Sequence, residues 1–564
     1  MNNNTFYSSH DQLGAIKTAL HKDLDESLPR VMDFMEEAHQ NPRVNPHRWD
    51  LETFTLRTLQ KVVMMWVLHQ ENEVDDRGVV GMIARILENE LCLTPPQRDG
   101  VLHFLRETDT GKKLRNQVEG VRRQIEREAE KEDRLRLLHD AIHPHEMPRR
   151  YHGDVFTGWK MSSDLVQRVP EHLFTDPSLT FFFYQVKDGR FLLLVFHRLM
   201  KGLERIYPSA QEREAYILDH MLFACDSCEA NQAVLQKVFG GRLRMRVFSA
   251  ASLPGRDYPV EMGLPANTSF DVALTNPAFE QVSGKSSVWP EVVRNHLTRW
   301  VRPGGYLGVV VPPGIRKPAD HRSRWKYEDW ERMTTSCTVH YATMYNKEQT
   351  RQMFPTVNLL GVDTYLIQRT PCPRHHSTFV RFRGSDAYER VSLVGMPCLP
   401  SDHLEVWKRV LRSPRDPCPR VLVHYNSAVY TARATARKLR RARAGNYIFP
   451  VVKAVNRNGL VVAWASTCRR EGGFGVRKVI FNYQGAWNPP VLDWSGRYGM
   501  SEGAFGIVVA SREEGQAIVD FFTSRGRRQM FQEDCTWGTS TSTIFWKLFP
   551  FLPRDFYRHD AFLQ

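Results

Sequence analysis

The sequence predicts an α/β protein built on a doubly wound, Rossmann-like sheet, with a helical domain before it and an α+β domain after it. Three observations lead there. Between about residues 151 and 370, short apolar runs alternate with helical stretches, as expected of strands lying beneath crossover helices. Residues 1 to about 145 carry apolar side chains at helical spacing. Residues 421–564 are rich in aromatics, Gly and Arg and contain short β-like runs. A chain of 564 residues exceeds one ordinary core, and residues 371–420, irregular and containing Pro and Cys, read as a connector.

In the N-terminal region, VDDRGVVGMIARILENELCL (from Val74) has helical periodicity, and residues 121–142 form a charged amphipathic stretch. A solvated helix face with i,i+4 pairs accounts for that charge, and so does an arm for DNA or a partner helix. HPHEMPRR (143–150) breaks the helix and marks a boundary. Beyond it, residues 191–200 (FLLLVFHRLM) suit a buried helix and 221–225 (MLFAC) a strand, followed by a helix over 229–239. Residues 243–248, 270–274 and 306–311 suit further strands. In the C-terminal region 477–481 (RKVIF) and 505–509 (FGIVV) are the clearest β runs, and no internal repeat is present.

Composition narrows the class. Hydrophobic content of 42% and charged content of 25% are globular values. The formal charge of +14 and pI near 9.3 favour a polyanionic partner, DNA or RNA before a membrane surface. The first residues, MNNNTFYSSHDQLG, lack the apolar core of a signal peptide. The longest apolar run, VVMMWVL at 62–68, falls far short of the roughly 20 residues a membrane span needs. A soluble protein with no membrane partner is expected, cytoplasmic, nuclear or virus-associated and not secreted. Nine cysteines at this length make no disulfide framework. Cys225 and Cys228 have CxxC spacing without a second pair, so two ordinary thiols are expected and no metal.

The turn Asn276-Pro277-Ala278-Phe279 follows the apolar run FDVALT. By itself that is a strand ending in an Asn-Pro turn, a common event. Its surroundings carry more. They include YHGDVFTGWKMSSDLVQRVPEHLFTDPSLTFF (from Tyr151), HMLFACDSCEANQAV (from His220) and KSSVWPEVVRNHLTRWVRPGGYLGVVVPPGIRKP (from Lys285). A last segment, RKVIFNYQGAWNPPVLDWSGRYGMSEGAFGIVV, begins at Arg477. In order and spacing these resemble the gamma-class adenine DNA methyltransferases of Type IIG restriction-modification systems, with relatives in phages and large DNA viruses. The resemblance runs from about Tyr151 to the C-terminus.

That resemblance implies a methyltransferase sheet over 151–370, a target-recognition-like DNA-binding domain over 421–564, S-adenosylmethionine as cofactor, and double-stranded DNA with a flipped base as partner. Asn276, Pro277 and Phe279 are then the catalytic turn. The adenine amine is a poor nucleophile because its lone pair is delocalised into the ring. The Asn276 amide oxygen and the Pro277 carbonyl would accept from it and localise that pair, while Phe279 stacks on the base. Phe156, Thr157, Gly189 and Asp226 fall at cofactor-binding positions, with Asp226 accepting from ribose hydroxyls.

The departures cluster at the cofactor. Where the family has an acid and a run of small residues, this chain has Phe183 to Gly189 (FYQVKDG), and only Gly189 remains. Gly158 and Trp159 follow Phe156-Thr157 where the family has proline, and Ala250 to Leu253 lack the carboxylate expected after the third strand. At the catalytic turn, Ala278 replaces a proline but spares both acceptors. The expectation is a pseudo-methyltransferase that binds DNA with methyl transfer lost or impaired, as a binding or scaffold subunit, paired with an active homologue or another scaffold partner. An active adenine methyltransferase and a structural protein that borrowed the fold are the alternatives. Arg316 and Lys317, the basic run with Arg437, Lys438, Arg440, Arg441 and Arg443, and Arg477, Lys478 and Arg497 are the expected DNA contacts. A solvated basic face is the alternative account of that run. No spaced carboxylate-lysine signature of a fused nuclease occurs in the N-terminal region.

Overall fold

The computed structural model describes residues 95–107 and 159–562, apart from 188, 227–228, 248–257, 266, 280–287, 319–323, 355–360, 426–428, 431–438, 484–487 and 535–546. The helices expected at 74–93 and 121–142, the boundary at 143–150, Phe156, Thr157 and the turn at 250–253 lie outside the described residues. The chain divides into two compact units between Arg302 and Pro303.

In the first unit, helices α1 (Pro95–Glu107) and α2 (Trp159–Arg168) precede strand β1 (Phe181–Tyr184). Helices α3 (Arg190–Gly202) and α4 (Ala210–Tyr216) lead to β2 (Leu222–Asp226), and α5 (Glu229–Phe239) leads to β3 (Arg244–Val247). The chain then returns as β4 (Phe270–Thr275), followed by α6 (Trp289–Asn295). These strands lie in the order β3-β2-β1-β4, and β1 pairs in parallel with both β2 and β4. The runs FFFY, LFACD and FDVALT are buried at every position, which is what helices over both faces of a parallel sheet require. The order grows outward from β1 to β3 and then reverses to β4, so the switch point of a doubly wound sheet lies between β1 and β4.

Aromatic residues fill this layer. The Phe182 ring stacks on Phe270 at 4.5 Å, and Tyr184 stacks on Trp300 at 5.3 Å with Tyr258 edge-on. Phe183 and Tyr184, expected in the loop, therefore belong to β1 because their side chains are core. Helix α3 packs so closely that a Cβ on Gly202 would lie 2.1 Å from the Phe174 carbonyl oxygen, which excludes any larger residue there.

In the second unit, β5 (Val301–Val311), whose first two residues fall in the first, is followed by α7 (Tyr327–Thr335), β6 (Thr338–Tyr345), α8 (Lys347–Met353) and β7 (Val362–Gln368). Strands β8 (Thr378–Arg381) and β9 (Glu389–Val391) and helix α9 (Leu404–Val410) come next. The order is β5-β7-β6-β8-β9, with β7 antiparallel to both neighbours and β8 parallel to β6. Residues 371–420 are thus more than a connector: TFVR alternates buried and half-buried positions and extends the sheet edge.

The C-terminal part is α+β. Strands β10 (Val423–His424), β11 (Leu439–Arg440), β12 (Phe449–Asn456), β13 (Gly459–Ala465), β14 (Lys478–Asn482), β15 (Val491–Asp493), β16 (Gly499–Met500) and β17 (Ala504–Val508) form two sheets, β10-β17-β14-β15 and β11-β13-β12-β16. Helices α10 (Arg512–Thr523) and α11 (Arg525–Asp534) contribute Phe521, Phe522 and Phe531 to a core that also holds Trp407, Phe481, Phe505 and Phe549. Among the described residues, no helix is long and apolar enough to cross a membrane.

Candidate binding crevice

Ligands of doubly wound sheets sit beyond the carboxyl ends of the strands at the switch point. Here that place is walled by three segments of the first unit: the loop Gln185 to Gly189 after β1, Asp226 at the tip of β2, and Asn276 to Phe279 after β4. The strand ends are tied together. Thr275 Oγ1 donates to the Tyr184 carbonyl at 2.7 Å, and the Val186 amide donates to the Cys225 carbonyl at 3.0 Å. Asn276 therefore stands where the sequence places it, at the carboxyl end of a strand next to β1, and it is only 2% exposed.

The loop opposite has an unusual backbone. Gln185 has φ 51° and Lys187 φ 53°, left-handed values that side chains disfavour, and Gly189 has φ 76° at the N-cap of α3. Two tertiary bonds hold the loop in this shape. The Ala278 amide donates to Gln185 Oε1 at 2.6 Å, linking the loop to the turn after β4 across 93 residues of sequence. The Lys187 amide donates to Asp226 Oδ2 at 2.7 Å, and Asn231 Nδ2 donates to Asp226 Oδ1 at 3.0 Å. Gln185 and Lys187 are 4% and 3% exposed, and Asp226 is fully buried.

These residues do not fit S-adenosylmethionine. Asp226, the carboxylate that the resemblance assigns to ribose hydroxyls, is fully buried and accepts on each oxygen from inside the chain, from the Lys187 amide and from Asn231 Nδ2. The loop that the resemblance sets against the cofactor carries the long buried side chains of Gln185 and Lys187 instead of small ones. Gly189 is buried and serves the helix start. Phe279 is buried at 6% exposure. Gln185 and Lys187 were not among the site residues read from sequence. The signal that marks them is a pair of long polar residues, flanking one aliphatic, in the span between a buried strand and the glycine that starts a helix.

The expected DNA contacts divide. Arg316 is fully buried in the second unit: its Nε donates to Asp363 Oδ2 at 2.7 Å and its Nη1 to the Leu399 carbonyl at 3.0 Å. Lys478 is likewise 0% exposed, its ammonium held by Asp493 Oδ2 at 2.8 Å and by the carbonyls of Gly473 and Tyr498 at 2.8 and 2.7 Å. Both corrections have one cause: an opposite charge on a neighbouring strand draws the cation inward, and neither faces a phosphate. Lys317 is half-buried, whereas Arg440, Arg441, Arg443, Arg477 and Arg497 are exposed. Arg437 and Lys438 lie outside the described residues, as does Cys228, while Cys225 is buried.

No protein-family model matches the chain, and no curated protein does. Among solved structures it is similar to a modification subunit of a putative type I restriction enzyme from Vibrio vulnificus, with 13% identity, 68% of this chain and 88% of that one covered, and a TM-score of 0.37. It is also similar to the Type IIL restriction-modification enzyme MmeI in complex with DNA, with 10% identity, 95% and 87% covered, and a TM-score of 0.43. A putative class I S-adenosylmethionine-dependent methyltransferase from Listeria monocytogenes aligns with 11% identity, 58% and 92% coverage, and a TM-score of 0.32. Likenesses this distant leave the fold to be read from the chain's own strand order.

Proposed function

We propose that this chain is a DNA-binding protein of the adenine-methyltransferase type in which methyl transfer is lost or strongly impaired. The observation that carries the reading is the double tie of the β1 loop, Gln185 to the Ala278 amide and the Lys187 amide to Asp226. Those contacts use, within the protein, the groups that the family resemblance assigns to the methyl donor and its surroundings. The turn that would embrace an adenine amine is retained in Asn276 and Pro277, and the basic charge suits a DNA partner. The chain then serves as a binding or scaffold subunit, with an active homologue or other partner supplying any chemistry.

The test combines two assays on the full chain. Incubation with an adenine-containing duplex and S-adenosylmethionine carrying a tritiated methyl group should leave the DNA unlabelled. Retention of the same duplex should fall steeply on a log-log plot as salt rises. Salt-indifferent behaviour, or no retention at all, would favour a structural protein without DNA contact.

A second reading, an active adenine methyltransferase, is favoured by the position of Asn276 at the carboxyl end of β4. It predicts label in the DNA, abolished by Asn276→Ala. Label that survives that change would place the chemistry elsewhere.

A further inference from the structure

The excess positive charge of this protein is not spread evenly. From Pro417 to Arg470 the sequence contains eleven Lys or Arg and no Asp or Glu, so this stretch holds most of the formal +14. It also contains the loop between β11 and β12, and the residues from Arg440, the last of β11, to Asn446 are all exposed. The loop turns tightly at Ala444 to Tyr447, where the Tyr447 amide donates to the Ala444 carbonyl at 3.1 Å and the two residues form an antiparallel bridge. Gly445 supplies the positive φ of 56° that such a turn needs at its first central position. A Cβ built on Gly445 would meet nothing within 4 Å, so the tip stands in open space.

Two arginines of this stretch lie over aromatic rings of the protein itself. The Arg440 guanidinium carbon lies 4.4 Å from the centre of the Tyr447 ring, and that of Arg443 lies 5.7 Å from the Trp464 ring. Stacking uses the flat face of a guanidinium and leaves its in-plane N–H donors directed outward, the geometry that grips phosphate oxygens. Part of the entropy that a long side chain loses on binding is thereby lost already in the free protein. The surrounding stretch offers those donors no carboxylate of its own.

We propose that the loop 440–448 is a preformed clamp for the sugar-phosphate backbone of a DNA duplex, with Arg440, Arg441 and Arg443 on successive phosphates and the small turn Ala444-Gly445-Asn446 set into the adjacent groove. This rests on the reading of the chain as a DNA-binding protein and names the element that does the binding.

The test is fluorescence anisotropy of a labelled random-sequence 30-base-pair duplex, titrated with the full-length chain at several salt concentrations. Each phosphate contact contributes roughly 0.9 to the slope of log affinity against log salt. Arg441→Ala combined with Arg443→Ala should therefore lower the slope by about 1.8 and weaken binding at least tenfold at 0.1 M salt. The corresponding Lys pair should keep the slope. Asn446→Asp, which adds one acid at the open tip and touches no core residue, should weaken binding several-fold, and it stands if the double variant does not fold. Wild-type binding with a slope unchanged in the Ala pair and in Asn446→Asp would overturn the clamp while leaving the DNA reading intact. Failure of the wild-type chain to bind the duplex at low salt would overturn the DNA reading itself. Equal competition by duplex RNA would overturn the assignment of DNA as the ligand.

Discussion

Removing the Gln185 side chain should loosen the crevice by an amount that the geometry sets. In Gln185→Ala the Ala278 amide loses its acceptor in a site that is almost wholly buried. A buried donor left unsatisfied costs on the order of 1–3 kcal/mol, and the left-handed backbone at φ 51° remains as unfavourable for alanine as for glutamine. In Gln185→Gly the same hydrogen bond is lost, but the backbone strain of roughly 1 kcal/mol is relieved, so this variant should be the less destabilised of the two. Hydrogen exchange read by mass spectrometry on peptides covering 185–189 and 276–279 measures this locally. A cost of 1–3 kcal/mol raises local opening roughly 5- to 150-fold in the Ala variant. Exchange unchanged in the Ala variant would refute the contact as a constraint on the crevice. Equal effects of Ala and Gly would refute the strain argument.

Other expectations follow from the buried charges. Lys478→Met should destabilise the C-terminal domain by about 3–5 kcal/mol, because it leaves Asp493 buried without its ammonium, while the folded fraction keeps its DNA affinity. Urea unfolding followed by circular dichroism, paired with anisotropy, separates these readouts. Arg316→Met should act in the same way through Asp363, again without a change in the salt slope of DNA binding. Burial pushes the Asp534 carboxyl up to about 6 even though Trp407 and His403 donate to it. The folded state therefore holds a proton there that the unfolded chain releases near pH 4. Between about pH 4 and 6 the folded state binds more protons, so stability should fall as pH rises, by roughly 3 kcal/mol from this group, and level off above. Asp534→Asn should flatten that part of the stability profile.

The strands of the first unit were legible because each is a short apolar run bounded by polar or glycine-containing segments, and a parallel sheet demands such runs. The turn after FDVALT was legible for the same reason: the strand end fixes where Asn276 stands. What sequence could not show is which distant partner a polar residue finds. Gln185 and the Ala278 amide are 93 residues apart, and their bond depends on β1 and β4 lying side by side. Lys478 reads as a surface cation until the β14–β15 register places it directly opposite Asp493. Arg316 reads as a rim residue until its guanidinium is seen paired with Asp363 at the start of β7. The run 371–420 hid β8 because TFVR is short, and its pairing with β6 and β9 makes it a strand. The sequence places Phe183 and Tyr184 in the loop because the resemblance calls for an acid and small residues there, whereas their side chains belong to the aromatic core.

Whether the crevice between β1 and β4 admits a methyl donor decides between the two readings of this chain. Calorimetric titration of the full-length chain with S-adenosylmethionine, and with its demethylated product, measures this without requiring DNA or turnover. The internal ties of Gln185 and Asp226 predict no saturable heat for either compound at concentrations up to about 1 mM, a limit of roughly −4 kcal/mol in binding free energy. Saturable binding in the micromolar range would contradict the claim that this site is closed by its own residues.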